Sequence, residues 1–523
     1  MADHKLQIVN KNIIEHLRGN FVAVKRKNKR VVIQDLAITD YAAEGKALAR
    51  LEGKVIFITG AVPGDVADVL LTKNKSDWAE GRALEIKEYS AARVEPFCMH
   101  FGVCGGCKWQ MLPYEKQLQY KQQEAEQNLK RIGKVQLPPI MPIIGSDDTV
   151  HYRNKLEFTF SNKEYKTDPP PPPPSERGAL ESADGESVLV SLESKVPLSE
   201  GGGGGGALGF HAPRIFDKAI DIKECFLMDE VNNTIRNTLR DFALANNYSF
   251  YDARNHTGWL RNIIIRYCTT GELMVNIVLN YDDEAERKKL LDHLLQRVPV
   301  ITTLLYTINA KWNDSIHDLE PKTYHGKGYV IEELHTGIDE EPLQFKISPK
   351  SFFQTNTKQG EKLYAIARDF AELTGNETIY DLYCGTGSIG LFVSRHAKKI
   401  IGIEVIEDAI IDAKENAKLN NINHAEFYAG DVIKICTDEF FEKHGRPDVV
   451  ITDPPRAGMH EKLVMKLLEI EAPKIVYVSC NTATQARDIG LLAEKYTVEK
   501  VQPVDMFPHT HHIECVALLK LKS

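Results

Sequence analysis

No continuous apolar stretch in the sequence is long enough to span a bilayer, and its first residues, MADHKLQIVN, lack the apolar core of a secretory leader. We therefore expect a cytoplasmic protein that makes no membrane contact. An excess of basic residues is also missing, because 65 Lys and Arg stand against 73 Asp and Glu and give a net charge of -8. The chain as a whole does not favour a polyanionic partner, so any nucleic-acid site must be local.

What the sequence does contain is typical of a large globular protein. Its 523 residues predict about three to four domains, at roughly 150 residues each. Hydrophobic residues make up 43% and charged residues 26%, which excludes disulfide-stapled, collagenous and wholly disordered classes. The nine cysteines are expected to stay reduced in the cytoplasm, so clustered cysteines are candidates for metal binding or catalysis.

The order of patterns along the chain predicts a multidomain protein of α/β and β classes. Residues 18–88 alternate β-branched segments with Gly, Pro and Asp turns, which predicts a small β-barrel. Residues 89–345 predict a β-rich central domain that contains a cysteine cluster. From 346 to 523, short Val- and Ile-rich strands alternate with helices, which predicts a Rossmann-like, doubly wound parallel sheet.

Three segments stand apart from this pattern. Residues 1–34 carry eight basic residues against two acids and form a local polyanion-attracting arm. Residues 113–132 predict an exposed amphipathic helix whose apolar positions include Leu118 and Leu129. Between about 162 and 208, six prolines, an acidic stretch and six glycines predict a disordered insertion without an assigned function.

A glycine-rich segment, DLYCGTGSIG (381–390), follows a predicted strand and precedes a predicted helix. Glycines at this point let backbone amides approach a ligand closely. Glu404 ends the next strand, 19 residues after Gly385, where a carboxylate can accept both ribose hydroxyls. The pattern predicts a nucleoside cofactor, and it resembles the S-adenosylmethionine loop of class I methyltransferases. The later DPPR segment (453–456) predicts a rigid corner at the end of the fourth strand.

Cys480 ends the fifth predicted strand of this domain, and Asn481 opens the following helix. A helix N-terminus favours the thiolate form, so Cys480 is a candidate nucleophile. A methyltransferase would need such a thiol to methylate uracil at C5. That carbon accepts a methyl group only after sulfur adds to C6, and a base must then remove the C5 proton. Glu514 begins a later strand beside two histidines and is the candidate base.

Cys98, Cys104 and Cys107 form the pattern C-x5-C-G-G-C, and Cys225 stands alone after the insertion. Three thiolates at this spacing in a reducing compartment indicate soft-metal ligation, and a fourth would complete either a 4Fe-4S cluster or a zinc site. Zinc sites usually add a second close cysteine pair, which is absent here, and radical S-adenosylmethionine enzymes use a tighter triplet.

Six motifs occur in the order found in a known family, and their combination is highly specific. The sequence resembles the RNA uracil-5 methyltransferases, in particular their ribosomal RNA branch, which carries an iron-sulfur cluster. The motifs are FFQTN (352–356), DLYCGTGSIG (381–390), GIE (402–404), DPPRAG (453–458), SCN (479–481) and HHIEC (511–515). The resemblance covers most of residues 20–520 and fails at the insertion.

The resemblance implies a role for each matched residue. Cys480 would be the nucleophile and Glu514 the proton acceptor. The residues that would bind S-adenosylmethionine are Gln354, Tyr383, Glu404 and Asp453, with Ser388 and Asp431 carried only as additional contacts because relatives often have asparagine there. The ligands of a 4Fe-4S cluster would be Cys98, Cys104, Cys107 and Cys225.

The N-terminal module resembles a TRAM domain, an RNA-binding β-barrel of the oligonucleotide-binding type, most clearly at GAVPGD (60–65). Together with the basic arm, it would hold RNA phosphates while the target uracil is drawn out of its stack. The segments GWLRNIIIR (258–266) and HYRNKLEF (151–158) also resemble family segments whose arginines and aromatics would face RNA, although either fits an ordinary strand with exposed polar residues.

We therefore predict a monomeric enzyme that methylates C5 of one uridine in 23S ribosomal RNA through a covalent Cys480 adduct. Three alternatives stay open at this point. The substrate could be transfer RNA, since its assignment rests on family analogy alone. An amino-group methyltransferase would also use a proline corner, but it usually has an aromatic residue where Arg456 stands. A non-catalytic RNA-binding factor would have no use for the cofactor loop.

Overall fold

The computed structural model describes residues 31–166, 206–337 and 341–523. The predicted basic arm up to residue 30, and residues 167–205 of the predicted insertion, lie outside the described residues. Within the described ranges, no helix is both long and apolar enough to cross a membrane. Two compact units are present: one contains the chain up to Pro96 with Lys108–Tyr120, and the other contains Phe97–Cys107 with Lys121–Ser523.

The smaller unit is built on a six-stranded sheet, which confirms the predicted N-terminal β module. Its strands are β1 (Val32–Ala37), β2 (Asp40–Ala42), β3 (Lys46–Leu51), β4 (Lys54–Thr59), β5 (Val66–Asn74) and β6 (Trp78–Glu88). They lie in the order β1-β5-β6-β4-β3-β2, and only β4 and β6 are parallel. The buried Asp65 carboxylate, at the end of GAVPGD, accepts hydrogen bonds from the amides of Val62 and Ser90 and from the Arg93 guanidinium. These bonds hold the turn between β4 and β5.

Helix α1 (Tyr114–Asn128) forms where the sequence predicts it, but it buries a different face. Leu118 is only half-buried, whereas Gln117 and Lys121 are fully buried. Gln117 donates hydrogen bonds to two backbone carbonyls, and Lys121 Nζ donates to Asp505 Oδ1 at 2.6 Å. The prediction of an exposed amphipathic helix was wrong because these polar side chains find buried partners, which an apolar periodicity does not reveal.

The larger unit contains a seven-stranded sheet that confirms the β-rich centre of the chain. Its strands are β7 (Lys155–Ser161), β8 (Ala207–His211), β9 (Ala219–Asp221), β10 (Leu260–Tyr267), β11 (Leu273–Leu279), β12 (Thr303–Ile308) and β13 (Lys322–His325), in the order β13-β12-β11-β10-β7-β8-β9. Helices α2 (Val231–Ala245) and α3 (Glu284–Arg297) accompany it, and a separate hairpin follows as β14 (Val330–Leu334) and β15 (Leu343–Ile347). Every residue of β11 is buried, which explains why all of its residues except Asn276 are apolar.

A second seven-stranded sheet in this unit confirms the predicted Rossmann-like class. Its elements are α4 (Thr357–Ala371), β16 (Thr378–Leu382), α5 (Ser388–Val393), β17 (Lys399–Glu404), α6 (Glu407–Leu419), β18 (Ala425–Ala429), α7 (Val432–Ile435), α8 (Asp438–His444), β19 (Val449–Thr452), α9 (Glu461–Ile470), β20 (Lys474–Ser479), α10 (Thr482–Leu492), β21 (Tyr496–Val504) and β22 (Glu514–Leu521). The order is β18-β17-β16-β19-β20-β22-β21. Strands β16 to β20 are parallel, and β22 runs antiparallel between β20 and β21. The order reverses between β16 and β19, which is where such sheets bind ligands.

Candidate active site

The glycine-rich loop after β16 bends sharply into α5. Gly385 and Gly387 have φ of 53° and 80°, in the left-handed region that glycine adopts without strain. The Gly390 amide donates at 2.8 Å to Asp381 Oδ2, and a Cβ at Gly390 would lie as close as 2.8 Å to the same oxygen. No atom lies within 4 Å of a Cβ built at Gly385. The loop therefore presents backbone to open space, as a nucleoside site requires.

Glu404 lies beside this loop at the end of β17. Its Oε2 accepts a hydrogen bond from the Gly385 amide at 3.3 Å, and its Oε1 accepts one from the Ile406 amide at 3.0 Å. Tyr383, which has a φ of 61°, lies close to Glu404 and Asp431, since these carboxyl groups add to the burial that raises its pKa. Tyr383 and Glu404, with the additional contact Asp431, thus lie together beside the glycine-rich loop.

The remaining cofactor candidates lie on neighbouring elements. Gln354 is buried just ahead of α4, where its backbone carbonyl accepts a hydrogen bond from Asn154 Nδ2. Asp453 follows β19, and burial raises its pKa to about 7. Ser388 is buried at the start of α5, with its Oγ 3.2 Å from the Thr386 hydroxyl.

Cys480 and Glu514 are brought together by strand register. Strands β20 and β22 pair antiparallel as far as Ser479 opposite Cys515, and Cys480 and Glu514 are the residues next to this pair on their chain segments. The Glu514 carboxyl lies close enough to raise the pKa of the Cys480 thiol. Burial raises the pKa of Glu514 well above its usual range, and the nearby Asp453 raises it further. The thiol, the predicted base and the carboxyl group that follows β19 therefore lie near one another.

The surroundings of Cys480 differ from the sequence prediction in one respect. Asn481 caps α10 by accepting hydrogen bonds from the amides of Ala483 and Thr484, so the thiol does stand at a helix N-terminus. Its pKa is nevertheless raised to about 12, first by burial and then by Glu514 and Asp453, against a lowering by Arg456. The expected preference for thiolate was wrong, because burial and then two carboxyl groups outweigh the helix terminus.

Sequence reasoning missed three further groups at this edge. Tyr364 on α4 is buried, and Asp453, Asp381 and Glu514 all help to raise its pKa. Asp381 is itself buried, which raises its pKa to about 7. His512 lies 3.4 Å from the Arg456 guanidinium, and burial with His511 and Arg456 lowers its pKa to about 3. Asp381 and His512 stand inside quoted motifs, whereas nothing in the helical pattern around Tyr364 marks that residue.

The four candidate cluster ligands approach one another from two segments of the larger unit. Burial raises the pKa of Cys98, and the nearby Cys225 adds to the shift. Cys107 and Cys225 both lie near the Arg153 guanidinium, and Cys104 packs with Cys107 against the central core. Among the described residues, no group of His, Cys, Asp or Glu side chains stands ready to hold a metal ion. The fold therefore brings the thiols into one neighbourhood without arranging them around a single ion.

Comparison with known families finds two matching models. The model described as tRNA (Uracil-5-)-methyltransferase matches residues 317–522, and the TRAM domain model matches residues 27–84. The first covers the whole Rossmann-like sheet, and the second covers most of the six-stranded sheet.

Similar proteins extend over nearly the whole chain. A Bacteroides thetaiotaomicron protein named as an uncharacterized RNA methyltransferase is 50% identical over 484 residues, which is 92% of this chain and 100% of that protein. A Chlorobaculum tepidum protein of the same description is 40% identical and covers 93% of this chain and 95% of its own length. The crystal structure of Pyrococcus abyssi tRNA (uracil-54, C5)-methyltransferase with S-adenosyl-L-homocysteine superposes with a TM-score of 0.66 at 25% identity, over 93% of this chain and 100% of that one.

These relatives match the chain over both the β module and the Rossmann-like sheet, and their common description is RNA methylation. The chain therefore belongs to the family of RNA methyltransferases that join a TRAM domain to a uracil-5 methyltransferase domain.

Proposed function

We propose that this chain transfers a methyl group from S-adenosylmethionine to C5 of one uridine in 23S ribosomal RNA, through a covalent bond between Cys480 and uracil C6. One observation supports the proposal: Cys480 and Glu514 adjoin the last β20–β22 pair, and the Glu514 and Asp453 carboxyls both lie close enough to raise the pKa of the thiol. A simple methyl transfer to nitrogen or oxygen needs neither the thiol nor the buried base.

The cofactor loop supports S-adenosylmethionine as the methyl donor. The positive-φ residue Gly385 faces open space, and Glu404 stands where ribose hydroxyls would be accepted. The Pyrococcus abyssi relative was crystallised with the demethylated form of this cofactor, S-adenosyl-L-homocysteine. Gln354, Tyr383, Glu404 and Asp453 would hold the cofactor here, and it would supply an electrophilic methyl group.

The protein side chains account for the bonds that form and break on the uracil. The Cys480 sulfur adds to C6, which places electron density on C5 and makes that carbon nucleophilic. After C5 has gained the methyl group, it still carries its own proton. Glu514 accepts that proton, the C5–C6 double bond re-forms, and the electrons of the C6–S bond return to Cys480. Each step needs the thiol and the carboxyl within reach of one pyrimidine ring.

The charges around Cys480 fit a site whose thiol and carboxyl groups lose their protons more readily when a cationic cofactor binds. Cys480, Asp453 and Glu514 all favour their neutral forms, because burial and mutual proximity disfavour negative charge. The methyl donor, S-adenosylmethionine, carries a positively charged sulfonium group. Positive charge at this edge would lower the pKa values of all three groups. Arg456 already acts in that direction on Cys480 and Glu514.

We also propose that Cys98, Cys104, Cys107 and Cys225 ligate a 4Fe-4S cluster. Each thiolate of such a cluster binds a different iron, so the sulfurs need not surround one ion. The guanidinium groups of Arg153 and Arg236 lie near Cys225 and would offset the charge of thiolate ligands. Anaerobic purification should yield about four irons per chain, and Cys225→Ser should lower the iron content. Stoichiometric zinc would overturn the assignment.

Transfer RNA is the second candidate substrate, and the names of the matching family model and of the Pyrococcus abyssi relative favour it. The cysteine cluster and the TRAM domain favour ribosomal RNA. Both substrates use the same carbon chemistry, so the active-site geometry does not separate them.

Trapping with 5-fluorouridine tests chemistry and substrate together. Fluorine at C5 leaves no proton for Glu514 to remove, so the Cys480–RNA bond should persist when the protein is given cofactor and fluorinated RNA. A mixture of 23S ribosomal RNA and transfer RNA, followed by sequencing of the captured RNA, identifies the substrate. Cys436→Ala is the matched control because Cys436 is buried elsewhere in the same domain. Methylation by Cys480→Ala at the wild-type rate would contradict the covalent mechanism.

A further inference from the structure

A second concave site lies in the central part of the larger unit. It is a cavity of about 490 Å³, open to solvent and bounded by the end of β7, by the loop after β8, by Tyr251 and by the segment 312–314. Its polar lining includes Ser161, His211 and Asp314. A cavity of this size, lined by aromatics with a few polar groups, has the dimensions of an ordinary ligand site.

Two large aromatic side chains of this pocket are exposed. Trp312 is 79% exposed, and one face of its indole stacks on the His256 ring at 4.8 Å with an angle of 4° between the planes. Phe216 is 63% exposed, with the Arg254 guanidinium 5.3 Å from its ring centre. Exposed aromatic groups of this size leave apolar area in water that a flat partner would cover.

Arg261 holds the wall that carries Trp312. Its guanidinium donates to the backbone carbonyls of Asn309, Lys311 and Asn313, so the loop is tied to the start of β10. The side chain is fully buried against the Tyr251 ring, at 4.0 Å from the ring centre. Its Nε is buried and has no hydrogen-bond partner within the described chain. The wall is thus rigid and leaves one buried donor unsatisfied.

The pocket is separate from the candidate active site. Arg261 lies near the start of β10, whereas Arg266, near its end, donates to the Ser351 carbonyl just before the FFQTN motif. Five residues of strand separate the two arginines by roughly 17 Å. A ligand that reached both sites would have to be a polymer.

We propose that this pocket, which we call the Trp312 pocket, binds one unpaired base of the RNA substrate by stacking on Trp312 and Phe216. The inference rests on the proposed RNA substrate. Unpaired bases of RNA are recognised by stacking on aromatic rings and by hydrogen bonds to their edges, and Ser161 and His211 in the pocket lining can supply such bonds. Arg214 and Arg254 at the rim place positive charge where the flanking phosphates would run, although Arg254 also pairs with Asp217.

Trp312 also provides the readout, since it is far more exposed than the buried Trp109 and Trp259. Titrating the full-length protein with short single-stranded oligo(A) or oligo(U) should quench the fluorescence of Trp312. Trp312→Phe should bind equally well but lose most of the quenching, because phenylalanine keeps the stacking face. Trp312→Ala should weaken binding about tenfold, and a duplex of the same sequence should not quench. Val300→Ala is the matched control, because Val300 is an exposed apolar residue of the same central region.

If Trp312→Ala binds both oligonucleotides with unchanged affinity, the proposal that the Trp312 pocket binds a base is wrong. This outcome does not depend on which RNA the enzyme methylates. The 5-fluorouridine trap keeps the two proposals apart. At saturating RNA, Trp312→Ala should still form the Cys480 adduct, and the RNA concentration for half-maximal trapping should rise about tenfold. If the wild-type protein forms no adduct but loses oligonucleotide affinity with Trp312→Ala, the proposed function fails and the pocket stands.

Discussion

The two seven-stranded sheets of the larger unit differ in the sign of the buried charge that predominates around them. At the Rossmann-like sheet the buried groups include the carboxyls of Asp381 and Glu514, with Asp453 beside them. Around the central sheet, guanidiniums such as those of Arg236, Arg261 and Arg266 outnumber the buried carboxyls of Asp217 and Asp252. The central arginines donate mainly to backbone carbonyls, whereas Asp453 raises the pKa of both Asp381 and Glu514.

The difference follows from what each group does with a proton. A guanidinium stays protonated in proteins, so a buried arginine must be solvated by fixed acceptors and thereby fastens loops together. A buried carboxyl can instead bind a proton and become neutral. Burial raises the pKa of both Asp381 and Asp453 to about 7. One sheet therefore uses buried charge for architecture, and the other stores protons near a nucleophile. The variants below test that contrast.

Replacing the nucleophile should have the largest effect. Cys480→Ala should lower the methylation rate by at least about 10⁴-fold, because C5 is not activated without addition to C6. Methyl transfer from radiolabelled S-adenosylmethionine to RNA measures the loss. Cofactor binding should stay unchanged, and a variant that loses cofactor affinity equally would point to a structural role.

Removing the predicted base should have the next largest effect. Glu514→Gln should lower kcat about 10²- to 10⁴-fold and let the Cys480–RNA adduct accumulate with unmodified RNA, since only the later proton removal is blocked. Because its pKa is raised well above the usual range of a glutamate, Glu514 must lose its own proton before it accepts another, so the wild-type rate should rise as pH passes through that raised pKa. Gel electrophoresis under denaturing conditions detects the adduct, and free RNA after normal turnover would remove Glu514 from this role.

On helix α2, Arg236→Met should change stability and leave the chemistry of bound RNA unaltered. Arg236 makes four hydrogen bonds of 2.8–2.9 Å, to the carbonyls of Ile222 and Lys223 and to the side chains of Asn232 and Asn233. Three of these acceptors keep another donor, so one buried acceptor, the Asn232 amide oxygen, is left unpaired. One such acceptor costs about 1–3 kcal/mol, and with the loss of the other three bonds we expect the free energy of unfolding to fall by about 2–4 kcal/mol. Urea denaturation measures it, with the exposed Arg297→Met as a control of near-zero effect.

The smallest effect should come from Asp381→Asn, and it should depend on pH. The pKa of Asp381 is raised from 3.8 to about 7, so the folded state keeps a proton that the unfolded state has lost. The stability of the wild-type protein therefore falls as pH rises between these values. The variant should lose that part of the slope while its amide oxygen still accepts from Gly390. An identical slope in the variant would assign the proton elsewhere.

Particular residues show how far the sequence reaches. The segment DLYCGTGSIG predicted its strand, tight loop and helix because glycine geometry and strand periodicity are local properties. The helix at 114–128 was predicted, but its buried Lys121 was not, because the partner, Asp505, lies far away in the chain. The pKa of Cys480 was predicted in the wrong direction, since Asp453 and Glu514 reach it only through sheet pairing. Trp312 gave no signal, because its exposure depends on a loop that Arg261 anchors from another strand.

The sequence by itself determined the class of each domain, the family, and the residue types available for chemistry. These depend on local patterns and on short motifs that a linear chain already contains. Only the tertiary structure decided which protons those residues hold and which aromatic rings stay in water. Charge interactions and burial depend on distance in space, and the register of β20 against β22, with the bonds of Arg261, sets those distances between residues far apart in the chain.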